Sequence, residues 1–495
     1  MENMFLNGFG LSNFKCFKDE IIIAQRPITI NIGPNNSGKS SLLKAINLFQ
    51  HSLFKNSLIH NNANQNMLGE IDSFQLSNFG VPENYLNDPT KELSFRLPIL
   101  FEEKPVWLIN KNVEIKFHYL FEKQFQYNVD FTNLLRVEKR ENAPPGLGKL
   151  NKYQIIIDNH LYFELTRNLQ IENIYNGTEF GYFGELKIYP LNFIKQNDVN
   201  CIKIPLEIPT RKFHNIEYVQ DIVTESLLKI GNIDAENIGY LVNSGLDSIY
   251  NFQNCISKIK FIDLNRREYG RYFDVTKSSL FKDFFEFYFN RQNNNIAKIK
   301  NFMRKILPLF NLPSEIEISQ IDNIGFTILL IDEKGNKRNI IDYGSAVNQI
   351  LPLLLYYSTK INNTIDFNTT TLKHEYKYLN SLIVVEEPES NLHPAMQSKL
   401  ADMISILNKE YKLDFIIETH SEYLIRRFQI LIANKQLDQD DIVINYFWKN
   451  ENNNERKCKQ IYFDQDGKLS DSFEKGFYDE GLSIQLELLK QNSIN

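Results

Sequence analysis

Gly33, Gly38, Lys39 and Ser40 stand in the spacing G-x-x-x-x-G-K-S, complete in Gly33-Pro34-Asn35-Asn36-Ser37-Gly38-Lys39-Ser40. That spacing suits one chemical task, holding a chain of phosphates. Backbone N–H groups of such a loop and of the helix behind it point inward at anionic oxygens. Its glycines permit torsions and close approaches that a Cβ would block. Lys39 is placed to reach the β- and γ-phosphates, and the Ser40 hydroxyl to ligate Mg2+. Asn35, Asn36, Ser37 and Ser41 complete the candidate cradle. A second set of chemical groups closes the apolar run Leu382–Val385, where Glu386 and Glu387 stand side by side. Phosphoryl transfer needs one acid to hold Mg2+, usually through water, and a base beside the attacking water. Glu386 fits the first role and Glu387 the second. A third group, His420, ends the run Phe415-Ile416-Ile417-Glu418-Thr419 and is placed to hydrogen-bond a γ-phosphate or the attacking water. ATP and Mg2+ are the cofactors these residues imply.

The elements around these groups must put them at one edge of one sheet. Ile28, Ile30 and Ile32 alternate with Thr29 and Asn31 before the loop, as in a strand. Leu42, Ile46 and Phe49 recur at helical spacing after it. Leu382–Val385 and Phe415–Glu418 read as buried parallel strands, and ligands of open α/β sheets bind at strand C-terminal ends. Helices are predicted from Pro394 and from Ser421, and another from about Ala346. Strands are predicted at Glu20–Ala24, Leu93–Glu102, Val113–Phe121, Gln154–Leu165, Lys258–Leu264, 314–320 and 324–332, with a hairpin turn at Glu333-Lys334-Gly335-Asn336. Ile216–Gln253 and Ser279–Phe310 read as helical. Phe284, Phe285, Phe287 and Phe289 give the second a greasy face, assigned to its own core rather than to a partner. Loops are expected at His60–Gln65, Ala143–Gly146 and Asn362–Tyr378.

A chain of 495 residues is too long for one core. Hydrophobic content of 42% supports a folded protein rather than a disordered one. A net charge of −6 leaves any DNA contact to a local basic surface. Cys16, Cys201, Cys255 and Cys458 form no C-x-x-C pair, and the histidines show no ligand spacing, so neither a zinc knuckle nor a disulfide framework is expected. There is no signal-peptide pattern at the N-terminus and no apolar run of membrane-spanning length, so the reading is a cytoplasmic protein with no membrane partner.

Together, Asn13-Phe14-Lys15-Cys16-Phe17 ahead of the loop, the run Glu386–Pro394 ending Asn391-Leu392-His393-Pro394, and Glu418-Thr419-His420-Ser421 resemble bacterial ABC-type ATPases of the SMC/RecF/OLD group. The likeness is to the short-armed branch of ATPases found in anti-phage and toxin-like operons, without a nuclease domain. It covers roughly 1–55 and 320–450, a judgement that rests on these motifs in order. It implies an α/β fold: a P-loop ABC-type head with a mixed sheet, an inserted β-rich and helical region, and a small C-terminal module. The corresponding boundaries are 1–105 and 313–448 for the two parts of the head, 106–215 for a β-rich lobe, 216–312 for a helical region and 449–495 for the module.

The resemblance also implies a homodimer or higher oligomer through ATP sandwiched between heads. Asp342-Tyr343-Gly344-Ser345-Ala346-Val347-Asn348-Gln349 stands where the signature segment belongs, with Gly344 and Ser345 as candidate γ-phosphate contacts. Relatives carry a second glycine where Ala346 stands and a serine where Asn348 stands, so turnover is expected to be slow. Lys15 and Arg267 are further candidate nucleotide contacts, and His393 is placed at the dimer interface. A separately encoded effector, a nuclease or other toxin, is the implied partner, with this chain as the sensor or motor of an anti-phage complex. Two alternatives stay open: a DNA-repair ATPase of RecF/SMC type, and a slow ATP-locked scaffold that holds a toxin inactive. DNA contact also stays open, through Arg266, Arg267, Arg271, Tyr269 and Tyr272, or through Arg426 and Arg427.

Overall fold

The computed structural model describes residues 8–48, 70–72, 86–99, 106–121, 126–129, 137–140, 147–168, 182–188, 202–209, 240–241, 244, 260–262, 271–276, 279–289, 295–322, 324–360, 381–450 and 455–473. The loops expected at His60–Gln65, Ala143–Gly146 and Asn362–Tyr378 lie outside them, as do Arg266, Arg267 and Tyr269 and all but three residues of the helix expected over Ile216–Gln253.

Two chain segments, β1 (Phe9–Ser12) and β2 (Ile21–Ile23), lead into the strand β3 (Ile28–Ile32) that carries the phosphate-loop motif. β1 and β2 belong to a nine-stranded antiparallel sheet with β4 (Glu70–Asp72), β5 (Leu93–Pro98), β6 (Val113–Phe121), β9 (Leu147–Ile157), β10 (His160–Asn168), β11 (Tyr182–Ile188) and β12 (Ile202–Pro209). A separate ribbon pairs β7 (Gln126–Val129) with β8 (Val137–Arg140). The boundary expected at 105/106 falls inside the larger sheet, because β5 pairs with β6 from Leu93↔Tyr119 to Pro98↔Glu114. The strands before and after that boundary therefore share one hydrogen-bonded layer. Gln154–Leu165, expected as one strand, is two: Asp158 (φ 49°) and Asn159 (φ 66°) form a two-residue turn between β9 and β10. Consecutive left-handed residues give the hairpin geometry that matches strand twist, and Asp and Asn tolerate it best after glycine.

The second sheet positions the chemistry. Its order is β13 (Lys260–Ile262), β18 (Ser381–Glu386), β19 (Leu413–Thr419), β3, β20 (Ile442–Lys449), β21 (Arg456–Ile461). All pairings are parallel except β20 with β21. All five residues of β3 are buried. Continuous apolar runs are what a parallel sheet covered on both faces requires. Helices α1 (39–48), α5 (Pro394–Tyr411) and α6 (Glu422–Ala433) follow β3, β18 and β19 in the chain.

A third sheet joins β14 (Phe273–Asp274), β15 (Glu315–Ile321), β16 (Gly325–Ile331) and β17 (Lys337–Asn339). The β16–β17 turn closes on Asp332, whose carboxylate accepts from Lys334 N and Asn336 N. Helices α2 (Ser279–Phe289), α3 (Asn295–Ile306) and α4 (Ser345–Lys360) pack with this sheet into the core that contains β3, β18 and β19. Ser279–Phe310, expected as one helical stretch, is α2 and α3 followed by a 3-10 turn at Leu307–Phe310, closed by left-handed Asn311. Phe284 is fully buried, and Phe285, Phe287 and Phe289 pack against the same core.

Candidate active site

β3 ends at Gly33, where the chain leaves the sheet with φ 155°. A Cβ there would stand 3.0 Å from the Phe447 carbonyl carbon and nearer still to its oxygen, so β20 admits only glycine at this corner. Pro34, Asn35 and Asn36 are exposed, and Asn36 is left-handed at φ 61°. Ser37 turns inward. Its N–H donates to Pro34 O at 3.3 Å, and its hydroxyl is buried without a hydrogen-bond partner. Gly38 follows at φ 116° and opens α1.

The Asn13–Phe17 segment explains itself at this point. Phe14 and Phe17 exchange backbone hydrogen bonds of 3.0 and 2.9 Å around a two-residue turn, with Lys15 left-handed at φ 49°. The Asn13 side chain pins the turn by donating to Asp88 O and Lys91 O and accepting from Asp88 N. Both phenylalanines are buried, and the Phe17 ring lies against Gly38. Cys16 Sγ sits 3.6 Å from Ser41 Oγ on α1. Lys15 therefore lies beside α1. Burial lowers its ammonium's pKa, and the nearby charge of Lys44 lowers it further.

Lys39 is 4% exposed, and its Nζ donates to Gly33 O (2.9 Å) and Pro34 O (3.0 Å). Burial lowers its pKa, while the carboxylates of Glu418, Glu387 and Glu389 act in the opposite direction. The ammonium thus folds back onto the loop's own carbonyls, from which a phosphate could draw it. Ser40 Oγ donates to Glu418 Oε1 at 2.7 Å. Glu418 is 3% exposed, and its Oε2 is buried with no hydrogen-bond partner. Burial pushes its carboxyl up from the usual carboxylate range. Sequence reasoning missed this residue. Its signal was present, a lone acid inside the apolar run ahead of His420, but its partner depends on strand order.

The acids of β18 lie at the same edge. Glu386 is exposed and opposes Glu418 in the β18–β19 register. Glu387 leaves the strand in the left-handed conformation (φ 45°), and its N–H donates to Glu418 O at 2.7 Å. Ser390 Oγ donates to Glu387 Oε2 at 2.9 Å, and His420 Nε2 lies 3.9 Å from Glu387 Oε1. His420 is half-buried; desolvation and Lys39 lower its pKa, which favours the neutral ring. Its backbone N–H donates to Glu389 Oε1 at 2.7 Å. Glu389 is 6% exposed, and burial pushes its carboxyl up. It too was missed, and it ties the segment after β18 to the end of β19.

The structure thus brings together Gly33, Ser37, Gly38, Lys39, Ser40, Glu386, Glu387 and His420. Gly344 (φ 103°, exposed) begins α4 elsewhere in the fold, after a 3-10 turn capped by the Asn339 side chain. Arg271 donates to Asp342 at 3.1 Å beside it. Of Ser345 only the backbone is described, and Arg267 lies outside the described residues. His393 is exposed and caps α5. Arg427 is bound to Asp402 of α5 at 2.7 and 2.9 Å, and Arg426 pairs with Glu422 on its own helix. Among the described residues no three His, Cys, Asp or Glu side chains cluster as ligands for a metal ion, and no helix is long and apolar enough to cross a membrane.

An anion and a hydrated cation fit this edge. The loop is a cradle whose two glycines leave no room for a Cβ, and Ser37 Oγ and Glu418 Oε2 are buried polar atoms with hydrogen-bonding capacity to spare. A site that keeps a hydroxyl and a few carboxylates without a dedicated cage is the kind Mg2+ uses, since it retains several waters.

A family model described as an AAA ATPase domain matches residues 4–425. Similar solved structures include an SMC head bound to the C-terminal winged-helix domain of ScpA, at 10% identity over 93% of this chain and 98% of that one, with a TM-score of 0.39. The SMC head domain from Thermotoga maritima is 11% identical over 92% and 98%, with a TM-score of 0.37. An SMC head with an extended coiled coil, bound to the C-terminal domain of ScpA derived from Pyrococcus furiosus, is 11% identical over 99% of both chains, with a TM-score of 0.35. No curated protein matches the chain.

Proposed function

The chain belongs to the AAA ATPase domain family, and on that premise we propose that it binds and hydrolyses ATP with Mg2+ as a head that dimerises on the nucleotide. The observation that carries this reading is the meeting of Lys39, Ser40, Glu387 and His420 at the C-terminal edge of three adjacent parallel strands, β18, β19 and β3. Loop N–H groups and Lys39 hold the phosphates. Ser40, with Glu386 through water, holds the cation, which when bound neutralises charge on the β- and γ-phosphates. Glu387 takes the proton of the attacking water. His420, neutral and 3.9 Å from Glu387, orients that water or the γ-phosphate. Glu389 fixes His420 through its backbone.

A second copy completes the site by presenting Gly344, Ser345 and the start of α4 to the γ-phosphate, where a helix N-terminus favours an anion. The finer reading, a cytoplasmic sensor or motor of an anti-phage complex with a separately encoded effector, is supported by the motif resemblance alone. Steady-state ATP hydrolysis with and without duplex DNA, beside Lys39→Ala as the blank, tests the proposal. The expected result is slow turnover that vanishes in the variant and changes little with DNA. Strong DNA stimulation would replace the defence reading with a DNA-repair ATPase. Tight ATP binding with negligible turnover would leave an ATP-locked scaffold.

A further inference from the structure

We propose that Glu418 is the positioning residue for the magnesium site: its carboxylate accepts the hydrogen bond of the Ser40 hydroxyl, so that a lone pair of the Ser40 oxygen faces the cation. This deepens the ATP reading and rests on it. The motif logic of the sequence assigned the second Mg2+ group to Glu386 at the end of β18. Strand order assigns the acid that orients Ser40 differently. β19 is the immediate neighbour of β3, whereas β18 is the second neighbour. Neighbouring strands lie about 4.8 Å apart, so an acid on β18 starts roughly 10 Å from β3 and one on β19 about half that. The observed contact follows that geometry, with Ser40 Oγ 2.7 Å from Glu418 Oε1.

The chemistry of the hydroxyl makes the contact matter. A serine oxygen has one proton and two lone pairs. It can ligate a cation only through a lone pair, so its proton must be directed to another acceptor. A free hydroxyl rotates, and in some rotamers its proton faces the metal. Glu418 removes that freedom. It is 3% exposed, sits on a central strand, and is held in register with Glu386 on one side and Asn31 on the other. A carboxylate acceptor also makes the serine oxygen more electron-rich, the effect partners behind a ligand commonly have. The second oxygen, Oε2, is buried with no hydrogen-bond partner. A carboxylate kept in such a place costs stability, which suits a group retained for a ligand.

The test measures affinity for a fluorescent non-hydrolysable ATP analogue in Mg2+ and in EDTA, taking the ratio as the magnesium gain. A purely structural defect weakens both measurements and leaves the ratio alone. Glu418→Gln is expected to cut the gain by roughly ten- to a hundredfold, the usual cost of losing a partner behind a metal ligand, with EDTA affinity near wild type. Ser40→Ala is expected to cut it likewise, and the double variant to lose no more than Ser40→Ala alone, because Glu418 acts through that hydroxyl. Ser40→Thr, which keeps the hydroxyl, is expected to retain the gain. An unchanged gain in Glu418→Gln, or additive losses in the double variant, would overturn the assignment and leave the ATP reading standing. A wild-type protein that binds the analogue no better with Mg2+ than without would overturn both.

Discussion

Gly38→Ala is the sharpest test of how the opening motif supports the phosphate loop. Gly38 has φ 116°, and a Cβ built there lies 2.7 Å from Phe17 Cε1, closer to Phe17 Cζ, and 3.0 Å from Cys16 Sγ. Two costs add. An L-residue forced to this torsion is strained by ~1–3 kcal/mol. A methyl pushed into a filled core costs a further ~1–3 kcal/mol. The sum is ~2–6 kcal/mol, and at ~2 °C per kcal/mol for a large domain the melting midpoint falls by ~4–12 °C. Phe17→Leu removes the ring atoms that meet the new methyl but cannot relieve the torsion. The double variant should therefore recover the packing share only, a coupling of ~1–3 kcal/mol in a double-mutant cycle. The assay is thermal melting of the four proteins, with ATP affinity read on the same samples. Affinity should fall in Gly38→Ala and recover in part in the double variant, since the loop's N–H groups move with Gly38. If Gly38→Ala melts with wild type, or the cycle shows no coupling, then Phe17 does not brace the loop and the motif needs another explanation.

Two further outcomes follow from the same edge of the sheet. Glu387→Gln should keep ATP affinity within a few-fold and lower kcat by ~10²–10⁴-fold, the usual share of a general base; normal turnover would remove Glu387 from that role. Glu389 carries a carboxyl raised from 4.5 by burial, so the stability it contributes is fullest below 4.5 and is lost as pH rises through the higher folded value. Glu389→Gln keeps the acceptor for His420 N but cannot titrate, so its melting midpoint should gain on wild type as pH rises from 4.5 towards the higher folded value; a difference that stays constant as pH rises from 4.5 would show that folding does not raise the Glu389 pKa.

What the sequence made legible is what short-range periodicity encodes. Ile28, Ile30 and Ile32 marked a strand, the glycine spacing marked the loop, and the apolar runs before Glu386 and His420 marked two more buried strands. Each of those signals lies within eight or so residues, so local chemistry determines it. Asp158-Asn159 was equally local but hidden, because apolar residues continue on both sides of the turn and read as one strand. The span of the nine-stranded sheet across 105/106 was not legible either, since it rests on the pairing of β5 with β6, and β1, paired with β5 over more than eighty residues, ties the start of the chain to the same layer.

The same distinction decides the chemistry of the site. A motif names which residue types a reaction needs, but the sheet decides which of several candidates reaches. Three acids end or follow β18, and one ends β19. By residue type all four could serve a cation. By position they divide, because a strand's place in the sheet sets the distance of its last side chain from the loop after β3. Glu418, on the neighbouring strand, meets Ser40 directly. Glu387, one strand further out and turned by its left-handed backbone, meets His420 and Ser390 instead, where an attacking water rather than a cation would need it. Glu389 turns back to the end of β19 and holds His420. Exchanging the acids of the two strands would keep every residue type in the site and lose the division of labour. The order of three strands therefore carries functional information that the spacing of the motifs does not.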